Sequence, residues 1–140
     1  MSIDRVKLRP DHFTPVGGRY SHGLSVGIAG GSWVFVTGQL AIDAESNVVG
    51  RDDPRAQAAF VLENVARILA EAGAGFGDIV KGQLFLTPPA RLQDVQDVLH
   101  TALAEQSPAL TIIGVSALAR EGCCVELEVV ACVDRHAIDT

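Results

Sequence analysis

Residues 123–133 read CCVELEVVACV, an apolar run of strand length that carries two carboxylates, Glu126 and Glu128, two positions apart. In an extended strand, residues i and i+2 point to the same side. Glu126 and Glu128 therefore share a face with Cys124 and Val130, while Val125, Leu127 and Val129 line the other. Such a strand belongs in a sheet with one face on a core. The opposite face must pair, hydrogen-bond or protonate its carboxylates, because an unpaired buried charge is costly.

The rest of the chain supplies the partners for that sheet. Residues 24–29 and 32–38 are apolar runs split by Gly30, Gly31 and Ser32, a hairpin signal. ESNVVG (45–50) reads as a turn followed by a short extended piece. From Asp53 the period changes: Ala56, Phe60, Val61, Val65, Ile68 and Leu69 recur at helical spacing. Asp52, Asp53 and Pro54 at the start and Gly73 past the end predict a capped helix of about 18 residues. Residues 78–87 read as a strand, Pro88 and Pro89 break it, and Leu92, Val95, Val98, Leu99 and Leu103 mark a second helix ended by Pro108. Residues 109–118 are strand-like, and Arg120–Gly122 form a turn before the closing strand. The order, written β-β-α-β-α-β, predicts one α+β domain over residues 1–140, with a mixed sheet and both helices on one face. The helix-free face carries Thr37, Glu126 and Glu128 among valines and isoleucines. Nothing in the chain is left to cover it, which predicts a homo-oligomer.

Composition narrows the class. With 48% hydrophobic and 20% charged residues the chain is globular rather than disordered. A net charge of −6 disfavours a nucleic-acid partner, which needs a basic face for phosphate. The three cysteines are odd in number and sit together in Cys123, Cys124 and Cys132, so no disulfide framework is expected. No CxxC or Cys/His pair stands at metal-ligand spacing, and neither a metal nor a cofactor is expected. The N-terminal MSIDRVKLRP lacks a hydrophobic leader, and no apolar run approaches about 18 residues. These features predict a cytoplasmic protein without a membrane partner.

Four stretches taken together resemble the YjgF/RidA family: YSHG (20–23), VFVTGQLAID (34–43), LENVARILAEAGAGFGDIVKGQLFLT (62–87) and VELEVVACV (125–133). The resemblance spans nearly the whole chain. It implies a chorismate-mutase-like fold, a homotrimer whose three sheets form a central barrel, and clefts between adjacent subunits. Active members hydrolyse reactive enamines and imines derived from amino acids to 2-oxo acids and ammonia, without metal or cofactor. In them an arginine in a Pro-Ala-Arg-Thr/Ser context grips the substrate carboxylate. The first glutamate of a Val-Glu-x-Glu strand lies in the same cleft, near the attacking water.

Carried over residue by residue, Tyr20 falls on the cleft tyrosine, Thr37 on the hydroxyl residue before Gly-Gln, and Glu126 on the first strand glutamate. The arginine does not carry over. SPALTIIGV places Leu110 at its position, with Pro108, Ala109, Thr111, Gly114 and Val115 matching around it. His22 stands where glutamine or alanine is more usual.

Each of these residues also has an ordinary structural role to weigh. Glu126 suits a general acid or base, its pKa raised by desolvation, or a structural hydrogen bond across an oligomer interface. Glu128 reads as structural or rim. Leu110 removes a charge-assisted contact worth on the order of 2–5 kcal/mol, so deamination of amino-acid imines is expected to be weak or absent. Among the arginines, Arg19 beside Tyr20 is the expected substitute, whereas Arg91 and Arg120 are expected to be solvated. His22 is a base near neutral pH or a hydrogen-bonding surface or interface residue. Cys123 and Cys124 have no basic neighbour close in sequence to generate a thiolate, and Cys132 reads as core filler.

The sequence thus predicts a RidA-like homotrimer binding a small molecule, with Glu126 catalytic and Tyr20, Thr37, Leu110, His22 and Arg19 lining the site. The chemistry is cofactor-free hydrolysis of an imine or enamine; the alternative is a non-catalytic binding or regulatory trimer. A ribonuclease or translation-inhibitor role is disfavoured by the acidic balance.

Overall fold

A computed structural model of the chain describes residues 3–103 and 105–134; the terminal residues of the single domain read over 1–140 lie outside them. The strands are β1 Arg5–Leu8, β2 Gly23–Ile28, β3 Gly31–Leu40, β4 Ile79–Leu86, β5 Ala109–Gly114 and β6 Val125–Asp134. The helices are α1 Pro54–Glu71 and α2 Leu92–Leu103, with a short 3-10 turn at Phe76–Asp78.

All strands join one mixed sheet in the order β1-β2-β3-β6-β4-β5. Only β4 and β5 run parallel, joined by the α2 crossover, and every other pair is antiparallel. Both helices pack on one face, α1 against β3, β6 and α2. This is the predicted α+β architecture. Two boundaries differ from the sequence reading. A short edge strand precedes the hairpin, because Arg5-Val6-Lys7-Leu8 alternates over too few residues to stand out. The fifth strand stops at Gly114 rather than residue 118, because its parallel partner ends at Leu86. The order is therefore β-β-β-α-β-α-β-β.

The boundaries of α1 follow from its ends. The Asp53 carboxylate accepts a hydrogen bond from the Ala56 N–H at 3.2 Å, and Pro54 occupies the first helical position, where its missing N–H costs nothing. Past the end, Gly73 takes φ +71, a left-handed conformation that glycine adopts without strain. The buried stripe of α1 meets Val34 and Val36 of β3 and Val125, Leu127 and Val129 of β6. Leu127 is fully buried. A leucine removed from water in this way contributes about 2 kcal/mol.

The helix-free face is different. Trp33 and Phe35 of β3 stand 37% and 44% exposed beside Val130 of β6. Cys132, paired with Trp33, is exposed there as well, which corrects its reading as core filler. Among the described residues no helix is long and apolar enough to cross a membrane.

Candidate functional site

The site begins with an irregularity in β3. Val36 pairs with Val129 and Gln39 with Leu127, so Thr37 and Gly38 together oppose Glu128. This is a β-bulge, one extra residue that bends the strand and re-aims its side chains. Because of it, Val36 and Gln39 both face the helices, although an unbroken strand would place them on opposite faces. Thr37 is left at the corner between two concavities. One, of about 320 Å³, lies on the open face with Phe35, Lys81, Gln83 and Glu128. The other, of about 240 Å³, lies at the end of the strand and is lined by Tyr20, His22, Thr37, Gly38, Gln39 and Arg120.

The wall of this second cavity is held from behind. The Arg67 guanidinium of α1 sits 4.4 Å from the Phe13 ring centroid and donates to the Asp11 carbonyl at 2.6 Å. Phe13 in turn meets the His22 ring edge-on at 5.0 Å. The segment leading to Tyr20 is thereby pinned to the helix, and Tyr20 itself stays 56% exposed.

His22 is buried, at 5% exposure. Its Nε2 lies 2.8 Å from the Thr14 carbonyl, to which it donates. Its Nδ1 faces the Gln39 amide nitrogen at 3.5 Å. Both ring nitrogens are directed at protein groups, so the surface reading of His22 is corrected to a scaffold position. Gln39 carries the link onward by donating to the Thr37 carbonyl at 2.9 Å. The Thr37 hydroxyl donates to the Ser21 carbonyl at 2.6 Å, leaving its lone pairs as acceptors.

Glu126 lies beside the bulge, half-buried, paired with Leu40 on one side and Phe85 on the other. A Cβ on Gly38 would stand 2.6 Å from its Oε2, so the carboxylate occupies the space a side chain would need. Burial, and secondarily the neighbouring charge of Glu128, holds the Glu126 carboxyl above the usual carboxylate range. A carboxyl that keeps its proton to higher pH is better matched to acid–base work.

The far rim is set by Gln57 of α1, a fully buried amide. It donates to the carbonyls of Gly50 and Gly122 at 2.9 and 2.7 Å and accepts from the Cys124 N–H at 2.8 Å. This clamp fixes the turn that carries Arg120, whose Nη2 donates to the Ser46 carbonyl at 2.8 Å. Arg120 is exposed yet lines the cavity, whereas Arg19 does not line it. Arg120 is thus solvated as expected, and within the protomer it is Arg120, not Arg19, that borders this cavity.

Leu110 lies elsewhere in the protomer. It pairs with Gly82 and packs towards α2, lining a groove of about 300 Å³ with Leu92, Leu99, His100 and Leu103. Glu126 belongs to the opposite face, in register with Phe85 and, through it, Ile113. Within one protomer Leu110 and Glu126 do not meet. The thiols of Cys123 and Cys124 are pushed up by burial, Cys124 to about 11, which leaves neither a ready nucleophile.

Sequence reasoning passed over Gln57 and Gln39 as site residues, and weighed Arg120 only as a solvated turn residue. Gln57 had a signal, a polar residue one turn before Val61 on an otherwise apolar helical stripe. Arg120 had none, because only the fold brings its turn beside Tyr20.

Comparison with known proteins places this geometry in context. The family model described as endoribonuclease L-PSP matches residues 13–133. A RutC family protein of Pyrococcus abyssi is 32% identical over 81% of this chain and 86% of its own length. The crystal structure of RidA from the Antarctic bacterium Psychrobacter sp. PAMC 21119 superposes with a TM-score of 0.76 at 31% identity, covering 90% of this chain and 98% of that one. Crystalline E. coli TdcF with bound serine gives 0.75 at 25% identity, covering 90% and 97%.

Proposed function

The chain belongs to the endoribonuclease L-PSP family, that of the YjgF/RidA proteins, and on that premise we propose that it is a homotrimer binding a small molecule in clefts between protomers and hydrolysing a C=N bond there without a cofactor. The observation that carries this reading is the bulge at Thr37–Gly38. It sets the acceptor oxygen of Thr37, the ring of Tyr20 and the carboxyl of Glu126 around one end of the sheet. The exposed Trp33 and Phe35 support an assembly through the open face. The bound serine of E. coli TdcF supports a ligand of amino-acid size.

In this mechanism Glu126 accepts a proton from water as its oxygen bonds to the imine carbon. The C=N π electrons move to nitrogen, which takes that proton from Glu126. The resulting carbinolamine then collapses to a carbonyl compound, expelling the amine or ammonia. Thr37 accepts from a donor group on the ligand, and Tyr20 covers it. Leu110 faces α2 in its own protomer, so it meets Glu126 only from a neighbouring subunit, where it supplies an apolar wall and no charge for a carboxylate. Turnover of amino-acid-derived imines is accordingly weak. The acidic balance, net −6, argues against ribonuclease activity.

The test is ammonia release from freshly generated 2-aminoacrylate. Wild type is expected to release little, Leu110→Arg substantially more, and Glu126→Gln in that background none. Fast release by the wild type would remove the role given to Leu110. Silence from every variant would favour a non-catalytic binding trimer, the reading that Leu110 also supports.

A further inference from the structure

We infer that the cavity behind the Tyr20 wall, between residues 12–14, the turn at 42–45 and α1, is a second ligand site. Its ligand is a short amino alcohol, a primary ammonium with a hydroxyl on the adjoining carbon and an apolar tail.

This cavity measures about 270 Å³. It shares Thr14 and Ile42 with the Tyr20–Thr37 cavity as a common wall, but Tyr20, Thr37 and Arg120 do not border it. Its α1 wall is Phe60, Glu63, Asn64 and Arg67, which spacings of three and four residues set on one helix face.

The middle of that face is an amide to which the fold gives no partner. Asn64 is only 6% exposed. Among the described residues no hydrogen bond reaches its side chain, and no fully enclosed side-chain nitrogen or oxygen lacks a partner. Both polar atoms of the Asn64 amide are therefore open to the cavity that this helix face borders. Gln57, the fully buried amide of the same helix, has protein partners at both of its polar atoms. Asn64 is left for a ligand that brings a donor and an acceptor together.

Charge decides the sign of that ligand. Asp43, Glu45 and Glu63 bring three carboxylates to the lining against the guanidinium of Arg67, and His12 stands exposed at the mouth. The guanidinium is already engaged by the Phe13 ring and the Asp11 carbonyl. Asp43 accepts at Oδ1 from the N–H groups of Glu45 and Asn47, at 3.0 and 2.8 Å, which fixes its carboxylate on the turn. An ammonium group is drawn to these carboxylates and donates to the Asn64 carbonyl oxygen. The adjoining hydroxyl accepts from the Asn64 amide, and Phe13, Phe60 and Ile42 receive the tail. A carboxylate ligand meets three like charges here.

The probe is valinol, titrated against the full chain by calorimetry and amide chemical shifts. Its controls are 3-methylbutan-1-ol, which lacks the ammonium, and 3-methylbutan-2-amine, which lacks the hydroxyl. Wild type is expected to bind valinol with shifts at residues 12–14 and 42–45, and to bind each control at least about tenfold more weakly. Asn64→Ala is expected to weaken valinol by a similar factor. So is the double variant Glu45→Gln/Glu63→Gln, which alters exposed side chains and keeps the melting temperature, so its loss of binding is not a loss of fold. Glu126→Gln, which abolishes the chemistry proposed above, is expected to bind valinol as the wild type does. No binding by wild type, or equal binding of the alcohol, overturns the inference. Equal binding of the amine overturns the pairing with Asn64. Binding unchanged in both cavity variants, or lost in Glu126→Gln, overturns this cavity as the site while leaving the proposed hydrolysis untouched.

Discussion

Val125, Leu127 and Val129 alternate along β6 with Glu126, Glu128 and Val130, yet the two sets meet opposite requirements. On the helix side the chain satisfies itself. Apolar side chains fill the space between sheet and helices, and the buried amide of Gln57 has a partner at each of its polar atoms. On the open side the chain stops short. Trp33 and Phe35 remain exposed, Thr37 keeps its lone pairs, and Glu126 is half-buried beside a second carboxylate. The contrast separates residues that stabilise the protomer from residues available to a ligand or another copy of the chain.

The largest effect that would sharpen this division is expected at Gln57. Gln57→Leu leaves the Cys124 N–H unpaired and takes one of two hydrogen bonds from each of the Gly50 and Gly122 carbonyls, at a cost of about 4 kcal/mol in all. Chemical denaturation measures it, and a loss no greater than that of a surface substitution would contradict the clamp. Leu127→Ala comes next, at about 3 kcal/mol for a fully buried leucine. Its counterpart on the open face, Phe35→Glu, is expected to leave the protomer folded while shifting sedimentation towards lighter species. A Phe35→Glu protein that unfolds as readily as Leu127→Ala would break the comparison.

The smallest expected effect concerns Glu126 and pH. Its carboxyl is held above the ordinary range in the folded protein, so the native state binds more protons than the unfolded chain just above that range. Stability then falls as pH rises through this interval. Glu126→Gln removes the penalty, so its melting temperature should exceed that of the wild type near neutrality and converge with it below the ordinary glutamate pKa. A difference that grows on acidification would reverse the sign and place a cation beside Glu126.

How legible was this division in the sequence? The alternation of β6, the stripe and caps of α1 and the hairpin glycines were all visible, because strand and helix periods depend on backbone geometry within a few residues. Glu126 was visible for the same reason, as a carboxylate out of place in an apolar strand. The reading failed where non-local pairing intervened. Thr37 does border the open face as alternation predicts, but the bulge also turns it to the second cavity, which counting alternate residues does not reveal. His22 looked like a surface residue until the Phe13–Arg67 stack was seen to bury it. Cys132 looked like filler because its strand is apolar, though its side of the strand is not the covered one.

By itself, then, the sequence determined which segments form strands and helices, that one sheet face would be covered and the other left open, and that a carboxylate would stand on the open one. Those are consequences of local periodicity and burial. Only the tertiary structure decided that Leu110 turns towards α2 and away from Glu126, and that Arg120, not Arg19, reaches the cavity beside Tyr20. Those placements depend on strand register, on one extra residue in β3, and on a glutamine that bonds a carbonyl 65 positions away at Gly122. Hydrogen bonds across such separations leave no trace in the order of neighbouring residues.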